Sequence, residues 1–294
     1  MTSTKPARAP DGAVDTHAHV FTRAMRFAPA RRYTPDYDAT PDTYLSLLDT
    51  HGLGGGVLVQ PSFLGTDNSY LLEALGKAPH RLWGVAVIDP GTSRDELDRL
   101  VRAGVCGIRL NLVGRPVPPL HEGVWQRLGR ALAARNLHLE VQARAEQWNE
   151  LSPWLLRWPG QVVVDHLGLP LDTTLSSPGA KALVSLLTAD HVWVKASAPY
   201  RSARAAASAM LHHVLETAGP ARTLWGSDWP WTQHEEGRTY ADTLSWLMRQ
   251  LSATEITQVL CANPLRLLTG GRAGDLAAPV GGSVSRRSSR KLRG

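Results

Sequence analysis

Short apolar runs rich in β-branched residues alternate with longer segments of helical periodicity eight times along this 294-residue chain. The runs read AVDTHAHVF, GGGVLVQPSF, LWGVAVID, VCGIRLNLV, LHLEVQA, QVVVDHLG, HVWVKAS and RTLWGSDWP. Eight strand–helix pairs predict an α/β fold of the (β/α)8 TIM-barrel type, which spans about 250 residues as one unit. An open doubly wound sheet is the alternative, but the G-x-G-x-x-G loop typical of it follows none of the runs.

Helical periodicity fills most of the stretches between the runs. The predicted helices cover residues 41–51, 68–78, 94–103, 124–135, 181–189, 203–218 and 239–251, with a last helix near 253–268. We therefore expect a flexible N-terminus over residues 1–12, the barrel over 13–269 and a disordered basic tail over 270–294.

The net charge of +6 is concentrated at one end of the chain. Residues 270–294 carry +5 in a Gly/Ser/Arg-rich segment, and the remaining body is nearly neutral. We therefore expect no nucleic-acid partner. No apolar run approaches the roughly 20 residues that cross a bilayer, and no signal core follows the first residues. Two cysteines make no disulfide framework. These features predict a cytoplasmic protein without a membrane partner, and they indicate no oligomeric state.

Polar side chains gather where the predicted strands end, which is where barrels of this type place their chemistry. His17 and His19 end the first run and lie on one face of it, roughly 7 Å apart. The other polar residues at strand ends or in the following loops are Ser62, Thr66, Arg109, Asn111, Arg115, Gln142, His166, Lys195, Arg201 and Asp228. Burying such a set without a function would be costly. Considered singly, Thr66 could instead cap the helix that follows it, and Lys195 could instead form a structural ion pair.

The residue types fit the hydrolysis of an ester-like bond. Asp228 is the candidate base for water, and the neighbouring Trp229 and Trp231 predict partial desolvation with a raised pKa. Three imidazoles are candidates to polarise a carbonyl group, namely His17, His19 and His166. Guanidinium groups match carboxylates in a bidentate fork, so the arginines at the strand ends indicate an anionic substrate.

The motifs VDTHAHV, DHLG and WGSDWP resemble those of the amidohydrolase superfamily, in its branch of lactone-cleaving and decarboxylating enzymes. GTDN, GIRLN, VKASAPYR and RRYTP are similar to motifs of its lactonases. The resemblance covers residues 14–268. It implies opening of a lactone ring in a small carboxylate such as 2-pyrone-4,6-dicarboxylate. It also implies that Arg109, Arg115 and Arg201 bind the carboxylates, with Ser62, Thr66, Tyr33 and Gln142 as further substrate-binding residues.

Metal-dependent relatives add a histidine from strand five to the strand-one pair and the strand-eight aspartate. Here strand five ends with Gln142, whose amide is a poor zinc ligand. His138 stands at the other end of that strand, whereas Glu140 shares a face with Gln142 and could substitute. We therefore expect no cofactor and no metal. The alternative is a divalent ion such as zinc held by His17, His19, His166 and Asp228.

Three other functions stay open from the sequence. One is a metal-dependent decarboxylase or lactonase of the same superfamily. A second is a lactonase for a sugar-acid lactone or a sulfonated muconolactone. The third is a non-catalytic barrel whose basic tail recruits a partner. The long connection over residues 21–40, with two tyrosines and the pair Arg31 and Arg32, predicts a lid over the anionic site.

Overall fold

The computed structural model describes residues 8–269 and contains one sheet of eight parallel strands in chain order. The strands are β1 (Val14–Ala18), β2 (Gly55–Val59), β3 (Leu82–Ala86), β4 (Val105–Asn111), β5 (His138–Gln142), β6 (Val162–Val164), β7 (Val192–Ser197) and β8 (Thr223–Gly226). Each corresponds to one of the eight apolar runs. The predicted (β/α)8 TIM barrel is therefore confirmed.

Backbone contacts just beyond the last strand bring the two ends of the sheet together. The Asp228 N–H donates to the His17 carbonyl at 2.8 Å, and the His19 N–H donates to the Trp229 carbonyl at 2.7 Å. Gly226 permits this approach, because a Cβ there would lie 2.4 Å from the His17 Cβ. The closure places VDTHAHV directly beside WGSDWP.

Helices connect the strands around the outside of the barrel. They are α1 (Pro41–His51), α2 (Ser69–Lys77), α3 (Arg94–Arg102), α4 (Gly123–Ala133), α5 (Trp148–Leu155), α6 (Pro178–Leu187), α7 (Arg204–Thr217), α8 (Tyr240–Met248), α9 (Ala253–Thr257) and α10 (Asn263–Leu268). The helical pattern did not predict α5, which contains Pro153. A π-helical turn over Gln258–Ala262 separates α9 from α10 within the single helix expected there.

Helix α1 illustrates how local sequence sets the ends of these elements. The Thr40 hydroxyl accepts from the Thr43 N–H, and Pro41 occupies the first helical position, where its missing N–H costs nothing. Gly52 then ends the helix in the left-handed region at φ 76°. The helix consequently packs Tyr44 and Leu48, both fully buried, against the barrel.

Alternate residues of β5 and β7 point into the barrel, so two polar layers lie one above the other. Glu140 and Lys195 form the lower layer, and Gln142 and Ser197 form the upper one. All four are buried. This stacking positions the site described below.

The barrel begins beside residues that were expected to be flexible. Ala9 is buried, and its N–H donates to the His51 carbonyl at 2.9 Å. Residues 1–7 and the predicted basic tail over 270–294 lie outside the described residues. Within residues 8–269, no helix has the length and apolar character needed to cross a membrane.

Candidate active site

A cavity opens at the carboxyl end of the barrel and gathers most of the predicted site residues. Three predicted catalytic residues line it, namely His19, His166 and Asp228. Five predicted substrate-binding residues line it as well, namely Tyr33, Ser62, Arg109, Gln142 and Arg201. Segments from β1, β2, β4, β5, β6, β7 and β8 thus meet at one place, as the strand-end interpretation predicts.

Three predicted site residues lie away from the lining. His17 is fully buried just below the cavity, with its Nε2 3.8 Å from Asp228 Oδ1. Thr66 and Arg115 are exposed and are not among the described residues that line the cavity. Arg115 ends a turn in which its N–H donates to the Leu112 carbonyl at 2.9 Å.

The backbone around Asp228 is held in an uncommon conformation. Its φ is 57°, in the left-handed region, which costs a non-glycine residue about 1–3 kcal/mol. Fully buried Asp15 anchors the preceding residue, because its carboxylate accepts from the Ser227 N–H at 2.9 Å and the Ser227 hydroxyl at 2.6 Å. Tyr240 donates to the same carboxylate at 2.8 Å. The strand-one motif therefore fixes the loop that carries Asp228.

The two oxygens of the Asp228 carboxylate have different surroundings. Oδ2 accepts from Arg201 Nε at 2.7 Å and from the Tyr200 hydroxyl at 2.5 Å. Oδ1 is buried and accepts no hydrogen bond from any residue in the described range. The Nε2 atom of His19 lies 3.6 Å from Oδ1, and that of His166 lies 3.8 Å away. Oδ1 is therefore the oxygen left available to a molecule in the cavity.

The expected rise in the pKa of Asp228 is wrong. Burial alone would raise this pKa, but Arg201 and His166 outweigh burial and hold it well below the usual range. Asp228 is desolvated as expected, since it is fully buried, and the neighbouring Trp229 is buried as well. The sequence did not indicate that Arg201 would sit against the carboxylate. Asp228 is consequently ionised at neutral pH.

Each of the three site histidines has its Nδ1 atom engaged and its Nε2 atom directed at Asp228. His19 Nδ1 donates to the Val59 carbonyl at 2.7 Å, so Nε2 of the neutral ring is an acceptor. His17 Nδ1 lies 3.1 Å from Lys195 Nζ and 3.2 Å from Asp165 Oδ1, and the hydrogen of a neutral His17 sits on Nε2 when Lys195 donates to Nδ1. His166 Nδ1 lies 2.8 Å from the Ser197 hydroxyl, which can donate or accept.

A fully enclosed charge cluster lies beneath these histidines. Lys195 Nζ donates to Glu140 Oε2, and it lies 3.5 Å from Asp165 Oδ1. Arg109 Nη2 lies 3.4 Å from Asp165 Oδ2 and donates to Gln142 Oε1 at 2.8 Å. Two carboxylates thus balance two cations. Burial alone would raise the pKa of Asp165, but Lys195 and Arg109 reverse this and lower it. Lys195 pairs with Glu140, which is the structural ion pair that the sequence left open beside a role in the site.

Two groups of residues have the donor types and spacing of a metal site, each with its ligand atoms within 4.8 Å of one another. The groups are His17, Glu140 and Asp165, and His17, His166 and Asp228. In the first group the Lys195 ammonium contacts all three members. In the second group His17 Nε2 and Asp228 Oδ1 are both buried without a hydrogen-bond partner in the described range. Candidate metal-binding residues are therefore present.

A strap joins the loop after β1 to the loop after β8. The Tyr33 and Tyr37 hydroxyls donate to Glu235 Oε1 at 2.8 and 2.9 Å. Burial and the Glu235 carboxylate raise the pKa of Tyr33 to about 12, so the phenol keeps its hydrogen at neutral pH. Tyr33 and Gln233 both line the cavity. The lid expected over residues 21–40 therefore has a fixed attachment.

The buried position of His166 predicts that the stability of the fold depends on pH. Burial lowers its pKa from 6.5 to about 4, although Asp228 and Asp165 oppose this. Below pH 6.5 the unfolded chain takes up a proton that the folded chain rejects, so the free energy of unfolding falls by up to about 1.4 kcal/mol per pH unit until about pH 4. Urea titrations should show a shallower fall for His166→Gln, and an unchanged one for His80→Gln at an exposed position. Equal slopes for wild type and His166→Gln would contradict this assignment.

Sequence reasoning missed several residues that build the site. Asp15 stands inside VDTHAHV and Asp165 inside DHLG, so the motifs contained them without a stated role. Tyr200 likewise stands inside VKASAPYR without a stated role. Arg32 stands inside RRYTP, but the motif did not show which of its two arginines lines the cavity. Glu235 lies on a long loop and carries no periodic or motif signal.

Fold and cavity together define a class of protein, the (β/α)8-barrel hydrolases with a His-x-His pair after the first strand and an aspartate after the eighth. The Amidohydrolase family model matches residues 14–269, and the chain belongs to that family.

Two relatives that are at least 30% identical to this chain are lactone hydrolases. The 2-pyrone-4,6-dicarboxylate hydrolase of Comamonas testosteroni is 31% identical over 277 residues, covering 88% of this chain and 90% of that protein. The 4-sulfomuconolactone hydrolase of Hydrogenophaga intermedia is 30% identical over 75% of each chain. A crystal structure of a probable 2-pyrone-4,6-dicarboxylic acid hydrolase from Acinetobacter baumannii, with citric acid bound, superposes with a TM-score of 0.84. It is 36% identical and covers 88% of this chain and 99% of that chain.

Proposed function

We propose that this protein is a cytoplasmic lactonase that opens the ring of a small dianionic lactone such as 2-pyrone-4,6-dicarboxylate. The observation that carries the proposal is the unpartnered Oδ1 of an ionised, buried Asp228, directed into a cavity that Arg109 and Arg201 also line. Relatives named for such lactones support the substrate class.

Asp228 Oδ1 accepts a proton from a water molecule, whose oxygen attacks the lactone carbonyl carbon. The ring C–O bond then breaks, and the ring oxygen leaves as an enolate that takes the proton back. Arg201 and Tyr200 hold Oδ2, so the carboxylate cannot rotate away from the cavity. The lowered pKa makes Asp228 a weak base. It also keeps the carboxylate ionised at neutral pH, so the carboxylate is free to accept a proton from water.

The developing oxyanion needs hydrogen-bond donors in place before the reaction. Burial, together with Lys195 and His166, lowers the pKa of His17 well below its usual range, so the ring is neutral. With Lys195 donating to its Nδ1, His17 carries its hydrogen on Nε2, which lies 3.8 Å from Asp228 Oδ1 just below the cavity. His17 is thus the proposed donor to the carbonyl oxygen. His19 and His166 complete the wall around it, and Arg109, Arg201, Ser62 and Tyr33 hold the anionic groups. Thr66 and Arg115 contribute only if their loops move inward.

We propose further that the reaction uses no metal. Zinc on His17 Nε2 would require the ring hydrogen to sit on Nδ1, where Lys195 already donates. Arg201 beside Asp228 places a positive charge next to the same position. Both observations support a reaction without a metal, although the donor types and spacing of a metal site are present.

A panel of purified substrates tests the proposed function. We expect the largest kcat/KM for 2-pyrone-4,6-dicarboxylate. The loss of its ultraviolet band measures the reaction. The panel also contains 4-sulfomuconolactone, a neutral sugar lactone and an aromatic carboxylic acid to detect decarboxylation. A preference for 4-sulfomuconolactone would support the proposed lactonase activity but contradict the proposed substrate. Release of carbon dioxide from the aromatic acid would contradict the lactonase activity itself.

A further inference from the structure

Arg32 differs from the other arginines around the cavity because it has no anionic partner. Arg109 lies against Asp165, and Arg201 lies against Asp228. Arg32 makes no hydrogen bond or ion pair with any residue described in 8–269, although it lines the cavity. The charges of the two strand-end arginines are therefore partly balanced within the protein, while that of Arg32 is not.

Two neighbouring loops hold Arg32 at the cavity. A Cβ on Gly114, in the loop after β4, would lie 3.1 Å from Arg32 Cδ, so the side chain packs closely on that loop. The next residue, Tyr33, is tied to Glu235 by the strap. The aliphatic part of the Arg32 side chain is therefore held beside the cavity before any anion binds.

The electrostatics around Arg32 favour an anion. Its pKa is lowered first by burial and then by like charges, which come from Arg144, Arg115, Arg109 and Arg201. A guanidinium cannot release its proton in a protein, so this repulsion persists until an anion arrives.

We propose that Arg32 binds the second anionic group of the substrate and selects dianionic over monoanionic ligands. This inference rests on the proposed function and names the residue that sets its charge preference. Arg32 takes the role that the resemblance implied for Arg115. Both arginines are exposed, but only Arg32 is among the described residues that line the cavity. A planar guanidinium offers the bidentate geometry that a carboxylate requires.

Binding of two unreactive probes tests the inference independently of turnover. Benzene-1,3-dicarboxylate has the meta spacing of the pyrone carboxylates, and benzoate has one carboxylate. By calorimetry, Arg32→Met should weaken the binding of benzene-1,3-dicarboxylate about 10- to 100-fold and the binding of benzoate less than about threefold. Arg31→Met is the matched control. Arg31 donates to the Thr34 hydroxyl and the Ala28 carbonyl and is not among the described lining residues, so both affinities should stay unchanged.

The outcomes separate this inference from the proposed function. Equal weakening of both probes in Arg32→Met, or no weakening of the dicarboxylate, overturns the role of Arg32 whatever the protein catalyses. A selective loss in Arg32→Met supports that role even if the wild type hydrolyses none of the lactones. In that case the proposed function fails and the dianion site stands.

Discussion

Asp228→Asn is expected to lower kcat for the lactone by about 10³-fold, within the range that a positioned general base contributes. Asparagine keeps the shape of the side chain and can still accept from Arg201 through its amide oxygen. It cannot take a proton from water. Initial rates of pyrone absorbance loss measure the effect at saturating substrate.

The control for this prediction is Asp172→Asn. Asp172 is exposed and accepts hydrogen bonds only within its own loop, so its replacement should leave kcat unchanged. The unfolding midpoint and the affinity for benzene-1,3-dicarboxylate show whether Asp228→Asn still folds and binds. If a folded, binding Asp228→Asn variant kept kcat within about threefold of wild type, Asp228 would not be the base.

Lys195→Met is expected to lower the free energy of unfolding by about 3–5 kcal/mol. The substitution leaves Glu140 and Asp165 buried beside each other without the ammonium that contacts both. Adding Glu140→Gln should recover part of the loss, because it removes one of the two unpaired charges. Urea titrations followed by circular dichroism measure both variants.

Lys77→Met provides the comparison at the surface. Lys77 is paired with Asp42 at 3.4 Å, and both side chains are exposed. Such pairs contribute about 0–1 kcal/mol, so this variant should unfold close to wild type. A cost for Lys195→Met no larger than that for Lys77→Met would mean that the buried cluster does not stabilise the fold.

The fold followed from the sequence because its signal is local and repeated. Each strand is a short β-branched run, and every α-helix in the described range except α5 coincides with a predicted helical segment. Pro153 hid α5, since a proline inside a helix contradicts the usual pattern. Strand ends then located the site, because parallel strands in a barrel bring their carboxyl ends together.

The parts that the sequence did not predict depend on contacts between distant segments. The depressed pKa of Asp228 requires Arg201 from the β7 loop to lie 2.7 Å away. Arg115 does not line the cavity as expected, and the sequence did not show which of Arg31 and Arg32 would, because loop side chains follow no period that shows which way they point. The role of Asp15 depends on Ser227 from the other end of the barrel.

One measurement tests metal-free lactone hydrolysis most directly. The wild-type protein is treated with a chelator, its metal content is measured by elemental analysis, and 2-pyrone-4,6-dicarboxylate is added while its ultraviolet band is recorded. We expect rapid loss of the band with less than about 0.05 metal ions per chain, and no gain on adding zinc, because Lys195 keeps the His17 hydrogen on Nε2. Loss of the band only after zinc is restored would contradict this account and make His17, His19 and Asp228 metal ligands.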